Sequence, residues 1–263
     1  MIYFRGTTNF KVEGESAVTL GKFDGIHLGH QELIRNITAK KDDGLTSVVF
    51  TFDILPRKVI VGTRQLVTMT NYERRCILED MGVEVLVECP FVPEIYKMDP
   101  EEFISKILVE RLNAKYITVG RDFRFGHYAK GNVDFLREKA EQYGYELSVI
   151  EDQKYKDVVV HSSLIRQLIA EGNLKEAAAM LGRPYSFVGQ MYVGMYTYFL
   201  SDTDIKIWPP EGEYRILLTS GDKKTEGTIY VPRDAHLEKH FPVELLDKSF
   251  NAGDEDVELH FVD

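Results

Sequence analysis

The chain has 263 residues, 44% of them hydrophobic and 28% charged, with a formal net charge of −10 at pH 7; that is enough apolar material for one large domain or two modest ones. The acidic balance argues against nucleic acid, or an anionic membrane surface, as a partner held by general electrostatics. No long uncharged apolar run appears, the start MIYFRGTTNFKVEGE lacks the basic-then-apolar order of a signal peptide, and Cys76 and Cys89 form no CxxC pair, so a cytoplasmic chain with two reduced packing cysteines is expected.

From residue 16 to about 150 the β-branched runs AVTL, SVVFTF, VEVLVE, YITVG and ELSVI alternate with helical patterns over 29–40, 71–82, 100–113 and 132–143. This alternation predicts an α/β fold, a Rossmann-like parallel sheet covered by helices, with any ligand at the carboxyl ends of the strands. A helical stretch follows over 162–181. After LGRPY the texture changes: SFVGQMYVGMYTYFL, EYRILLTS, EGTIYVP and DVELHFVD read as antiparallel strands of a second, smaller β domain. The charge-rich DAHLEKHFPVELLDK reads as a solvated face or loop.

The stretch VTLGKFDGIHLGHQELI, residues 18–34, joins the first strand run to the first helix. Gly21 and Gly25 allow a tight exit with positive φ, the helix begins near Gly29, and its free N–H groups make an anion site that a glycine lets a phosphate approach. His27 and His30 add side-chain donors at the same place. A P-loop is excluded, because GK[ST] does not follow the glycines. A zinc site lacks a third and fourth ligand at compatible spacing, and two satisfied structural histidines remain the plain alternative.

HLGH at 27–30 resembles the HxGH signature of the nucleotidylyltransferase superfamily, and the longer GKFDGIHLGHQ resembles the FAD synthetase module of bacterial bifunctional riboflavin kinase/FAD synthetases. Three further stretches agree in order. FTFDILPRKV (50–59) resembles FTFxPHP, with Leu55 where the family has histidine; taken alone, Asp53 is a turn residue before Pro56. VGRDFRFGHYAKGN (119–132) resembles VGxDFRFG; by alternation Phe123 and Phe125 share one side and Asp122 and Arg124 the other, and the rings either face a flat ligand or pack under the loop. VHSSLIRQLIAEGNLKEAAAMLGRPY (160–185) resembles SSTxIRxxLxxGxxxxAxxLLGRPY, with His161 in place of the first serine. Here Ser162 and Ser163 suit a helix start, and Arg166 one turn on suits phosphate oxygens.

The resemblance implies a nucleotidylyltransferase domain over 1–184 and a degenerate riboflavin kinase barrel over 185–263. It implies transfer of AMP from ATP to FMN, giving FAD and pyrophosphate, with Mg²⁺ accompanying ATP. It assigns catalysis to His27, His30, Ser163 and Arg166, ATP contacts to Gly21, Phe23, Asp24, Gly29 and Ser162, and flavin contacts to Asp53, Asp122, Phe123, Arg124 and Phe125. No protein metal ligand is assigned. Beyond Val193 the chain reads MYTYFLSDTDIKIWPPEGEY and lacks the family's PTAN motif, so kinase activity is expected to be absent. A non-catalytic flavin or adenine-nucleotide binding protein is the alternative, and the sequence carries no signal of oligomeric state.

Overall fold

The computed structural model describes residues 1–53, 66–193, 197–200, 205–253 and 255–262. Leu55, with the rest of ILPRKV, lies outside the described residues. The chain forms two compact units, one of residues 1–65 with 74–154 and one of residues 66–73 with 155–263. No helix among the described residues is long and apolar enough to cross a membrane.

The first unit holds a six-stranded sheet: β1 (Ile2–Arg5), β2 (Ser16–Leu20), β3 (Thr46–Phe52), β4 (Val85–Cys89), β5 (Ala114–Gly120) and, beyond a two-stranded ladder of β6 (Arg124–Phe125) and β7 (Gly131–Asn132), β8 (Glu146–Ile150). Its order is β1-β4-β3-β2-β5-β8 and every pair is parallel. The five expected strands are all present. The sixth, β1, lies at the sheet edge in a stretch that showed no strand signal: its four residues IYFR are too few for a readable period, and pairing with β4 supplies what propensity does not.

Both faces of β2 are buried, as a parallel strand covered on two sides must be. On one face Val18, Leu20, Val48, Phe50, Val87 and Val119 join a core with Ile104, Ile107 and Leu136. On the other lies α1 (Leu28–Thr38), whose Ile34 and Ile37 are fully buried. The expected helix over 71–82 is α2 (Asn71–Asp80). That over 100–113 is α3 (Pro100–Phe103), continued as a π-type helix through Ile104–Arg111, and that over 132–143 is α4 (Val133–Tyr143), capped by the Asn132 side chain on the Phe135 N–H. Cys89 sits in this core, where burial pushes its thiol up to about 12, but Cys76 is exposed and is not a packing residue.

In the second unit the helical stretch divides into α5 (Ser162–Ala170) and α6 (Leu174–Leu181) at Gly172, which takes φ +80°. After a short ladder of β9 (Lys154–Tyr155) with β10 (Val158–Val159), six antiparallel strands close a barrel in the order β11-β12-β15-β14-β13-β16. They are β11 (Ser186–Val193), β12 (Thr197–Leu200), β13 (Gly212–Ser220), β14 (Lys223–Val231), β15 (His240–Leu245) and β16 (Val257–Phe261). The barrel corrects one expectation. DAHLEKHFPVELLDK contains β15, in which Phe241, Val243 and Leu245 turn inward between exposed neighbours; the alternation was there, but Pro242 and the flanking charges masked it.

Segment 66–73 packs with this unit. Val67 bridges Lys206, and Glu73 is buried against the Lys206 ammonium at 2.5 Å while accepting from the Val188 N–H at 3.1 Å. Thr70 and Glu73 also form a capping box at the start of α2: Glu73 N–H donates to Thr70 Oγ1 at 3.1 Å, and Thr70 N–H donates to Glu73 Oε2 at 2.7 Å.

Candidate functional site

The candidate site of the first unit begins where β2 ends. Gly25 has φ +88°, as a tight exit requires, but the other two left-handed positions are Phe23 at +48° and Ile26 at +37°, not Gly21. Non-glycine residues held at positive φ store strain, and such strain clusters at ligand-binding turns. What Gly21 supplies is space, since a Cβ there would stand 3.2 Å from the Phe23 ring. That ring is fully buried and lies 5.1 Å from His30, so its side chain supports the histidine.

Helix α1 starts at Leu28, with His27 as its N-cap residue in extended conformation. The rings of His27 and His30 stack with centroids 3.8 Å apart and planes 21° from parallel. Gly29 makes this possible: a Cβ at that position would lie 3.3 Å from His27 Cε1, so only a glycine lets the ring lie over the first turn without displacement. Asp24 is 6% exposed and His27 7% exposed, while His30 is half-buried.

Burial, reinforced by the nearby His27, holds the His30 imidazole well below the ordinary histidine range. It is therefore neutral at pH 7, offering one N–H donor. Below pH 6.5 the unfolded chain takes up this proton more readily than the folded one, so His30 contributes stability that is present above 6.5 and lost as pH falls toward its folded value. Thermal melts at pH 7.5 and 5.5 are expected to show a smaller acid-induced fall in Tm for His30→Asn than for the wild type; equal falls would remove His30 as a contributor.

Asp53 follows β3 at the carboxyl edge of the sheet, its N–H on the Cys89 carbonyl at 3.2 Å. After β5, Asp122 and Arg124 are exposed, Phe123 is half-buried and Phe125 is buried. The two phenylalanine rings stack at 5.6 Å, and Phe125 continues into the core against Phe103 at 5.6 Å and Phe135 at 6.3 Å. Phe125 thus packs beneath the loop, and Phe123 is the ring of the pair nearer solvent. Sequence reasoning missed a second aromatic group, Phe52 at the end of β3, Phe91 after β4 and Tyr96, with ring centroids 4.8 and 5.1 Å apart in succession. It also missed Arg74 and Glu88, a buried ion pair behind the β2 exit. The signal was present: a glutamate inside the apolar run VEVLVE needs a buried partner.

In the second unit Ser162, Ser163 and Arg166 lie in the first five residues of α5. The N-cap is His161 rather than a serine: its Nδ1 accepts from the Leu164 N–H at 3.1 Å and lies 2.8 Å from Ser163 Oγ. The residue that departs from the family pattern has taken over the capping, and Ser163 remains exposed in the first turn.

A family model for FAD synthetase matches residues 10–164. A bifunctional riboflavin kinase/FMN adenylyltransferase of Buchnera aphidicola is 32% identical over 74% of this chain and 64% of its own length, and one of Haemophilus influenzae is 30% identical over 68% and 58%. The chain therefore spans about three fifths of the length of these relatives. An FAD synthetase of Listeria monocytogenes is 30% identical over 76% of this chain and 80% of its own length. Among solved structures, a macrolide-efflux protein of Streptococcus pneumoniae matches with a TM-score of 0.84 at 28% identity, over 100% of this chain and 89% of its own. With the family model covering more than half the residues and the HLGH turn folded at the head of α1, this chain belongs to the FAD synthetase family.

Proposed function

We propose that the protein transfers AMP from ATP to FMN, forming FAD and pyrophosphate. The observation that carries this reading is the stacked His27–His30 pair on a strained glycine turn at a helix N-terminus, inside the segment that the FAD synthetase family matches. An FMN phosphate is already largely ionised at neutral pH, with a second pKa near 6, so it needs no general base. It attacks the α-phosphate, the bond to the β-phosphate oxygen breaks, and pyrophosphate leaves; positioning and charge neutralisation supply the catalysis.

In this reading His27 and the neutral His30, with the amides around Gly29, donate to the oxygens of the α-phosphate as negative charge builds there, and Gly21, Phe23 and Asp24 shape the nucleotide's seat through the turn. The family resemblance makes Ser162, Ser163 and Arg166, within the first five residues of α5, phosphate-binding residues as well. Asp53, Asp122, Phe123 and Arg124 serve the flavin, with Phe125 as the ring on which Phe123 rests. Magnesium enters this reading with ATP, as part of the MgATP substrate. We assign residues 1–184 to this reaction, in the cytoplasm, and 185–263 to a barrel without it.

Incubation with FMN and MgATP, followed by chromatographic separation of the flavins, is expected to give FAD and pyrophosphate in equal amounts. Binding of FMN without conversion overturns the reading. The barrel keeps six closed strands although its sequence lacks PTAN, which supports a fold retained without the kinase chemistry. Riboflavin with MgATP is accordingly expected to yield no FMN, and clear FMN formation would overturn that part.

A further inference from the structure

Arg74, in α2, is 5% exposed, and Glu88, in β4, is fully buried. The guanidinium pairs with Glu88 Oε1 through Nη2. It also reaches two backbone carbonyls: Nη1 donates to that of Lys22 at 3.3 Å, and Nη2 to that of Phe52 at 3.4 Å. Thr51 Oγ1 donates to the same Lys22 carbonyl at 3.5 Å. Lys22 and Phe52 stand at the carboxyl exits of adjacent strands, β2 and β3. The peptide after Lys22 opens the strained turn that leads to the histidines, and the peptide after Phe52 presents Asp53. One guanidinium anchored on a third strand thus ties both exits together.

Glu88 is held from its other side as well. The Tyr3 hydroxyl donates to Glu88 Oε2, and Arg75 Nη1 donates to the Tyr3 oxygen at 2.8 Å. Burial and the Glu88 carboxylate push the Tyr3 phenol up to about 12, so the network holds its protons through neutral pH. A buried ion pair is a weak source of stability, because well-packed apolar residues in its place are often neutral or better. What apolar residues cannot do is direct several hydrogen bonds from one rigid plane, as this fork does.

We propose that Arg74 is a positioning residue that fixes the nucleotide-binding turn after β2 against the end of β3, acting through the Lys22 and Phe52 carbonyls. The inference rests on the reading above that this turn binds the nucleotide phosphates. Two variants of the full chain test it. Arg74→Lys keeps the charge but loses the fork, and Arg74→Met combined with Glu88→Leu removes both charges.

In the ligand-free protein, amide hydrogen exchange over residues 21–30 is expected to quicken by about tenfold in each variant, the scale of losing one such hydrogen bond. With FMN and MgATP, kcat is expected to fall by up to about 100-fold, more than KM changes, because a small misplacement of donors acts on the transition state. A residue that only stabilised the fold would lower Tm and leave exchange of the turn and kcat of the folded protein in place. Unchanged exchange at 21–30 in Arg74→Lys overturns the proposal, whether or not the double variant folds. Since exchange is read without substrate, it decides the role of Arg74 even if the wild type makes no FAD, a result that would instead overturn the proposed function.

Discussion

His30→Ala is expected to lower FAD formation by about 10²- to 10³-fold, the range found when one preorganised donor to a developing oxyanion is removed, while the protein stays folded. The ring is half-buried and its Nδ1 has no hydrogen-bond partner among the described residues. Its packing partners are His27 at 3.8 Å and Phe23 at 5.1 Å. Truncation therefore removes a donor and a stacked ring without leaving a buried charge unpaired. Steady-state turnover with FMN and MgATP, beside a circular dichroism melt, separates the two effects: near wild-type turnover in the folded variant would remove His30 from the reaction.

A second large effect belongs to stability. Lys206→Met is expected to destabilise the barrel unit by about 3–5 kcal/mol, the cost of stranding one member of a buried pair. Glu73 and Lys206 are 5% and 1% exposed, and the ammonium also lies 4.3 Å from the Phe187 ring. The chain's single tryptophan, Trp208, is stacked between Phe187 at 3.8 Å and Phe241 at 4.1 Å, so its fluorescence reports unfolding of this same unit. Adding Glu73→Gln removes the stranded charge yet preserves the capping box with Thr70, and is expected to restore most of the loss. Denaturant midpoints that do not separate single from double variant would show that the pair carries no net coupling.

The part of the candidate site that could be read in advance is the part built from neighbours in sequence. HLGH and its glycines act within one strand-to-helix turn, so spacing alone brings the two rings to one place. The same locality made α1, α4 and the five expected strands readable. Reading failed where a residue's role depends on a distant partner or on context. Positive φ was expected at Gly21 and is found at Phe23 and Ile26, where surrounding packing imposes it. A serine cap was expected for α5, and His161 performs it because its Nδ1 can accept from the Leu164 N–H as a hydroxyl would. Strand β15 passed for a loop, since only barrel closure makes its alternation meaningful.

By itself the sequence determined the α/β alternation, the later turn to antiparallel strands, and the family, because periodicity and short motifs are properties of adjacent residues. The tertiary structure alone decided that β1 completes the sheet edge, that segment 66–73 packs with residues 155–263, and that Arg74 of α2 reaches the exits of β2 and β3. Each of these joins residues far apart along the chain, and such pairings are selected by burial and hydrogen-bond satisfaction in the folded protein, which no local pattern encodes.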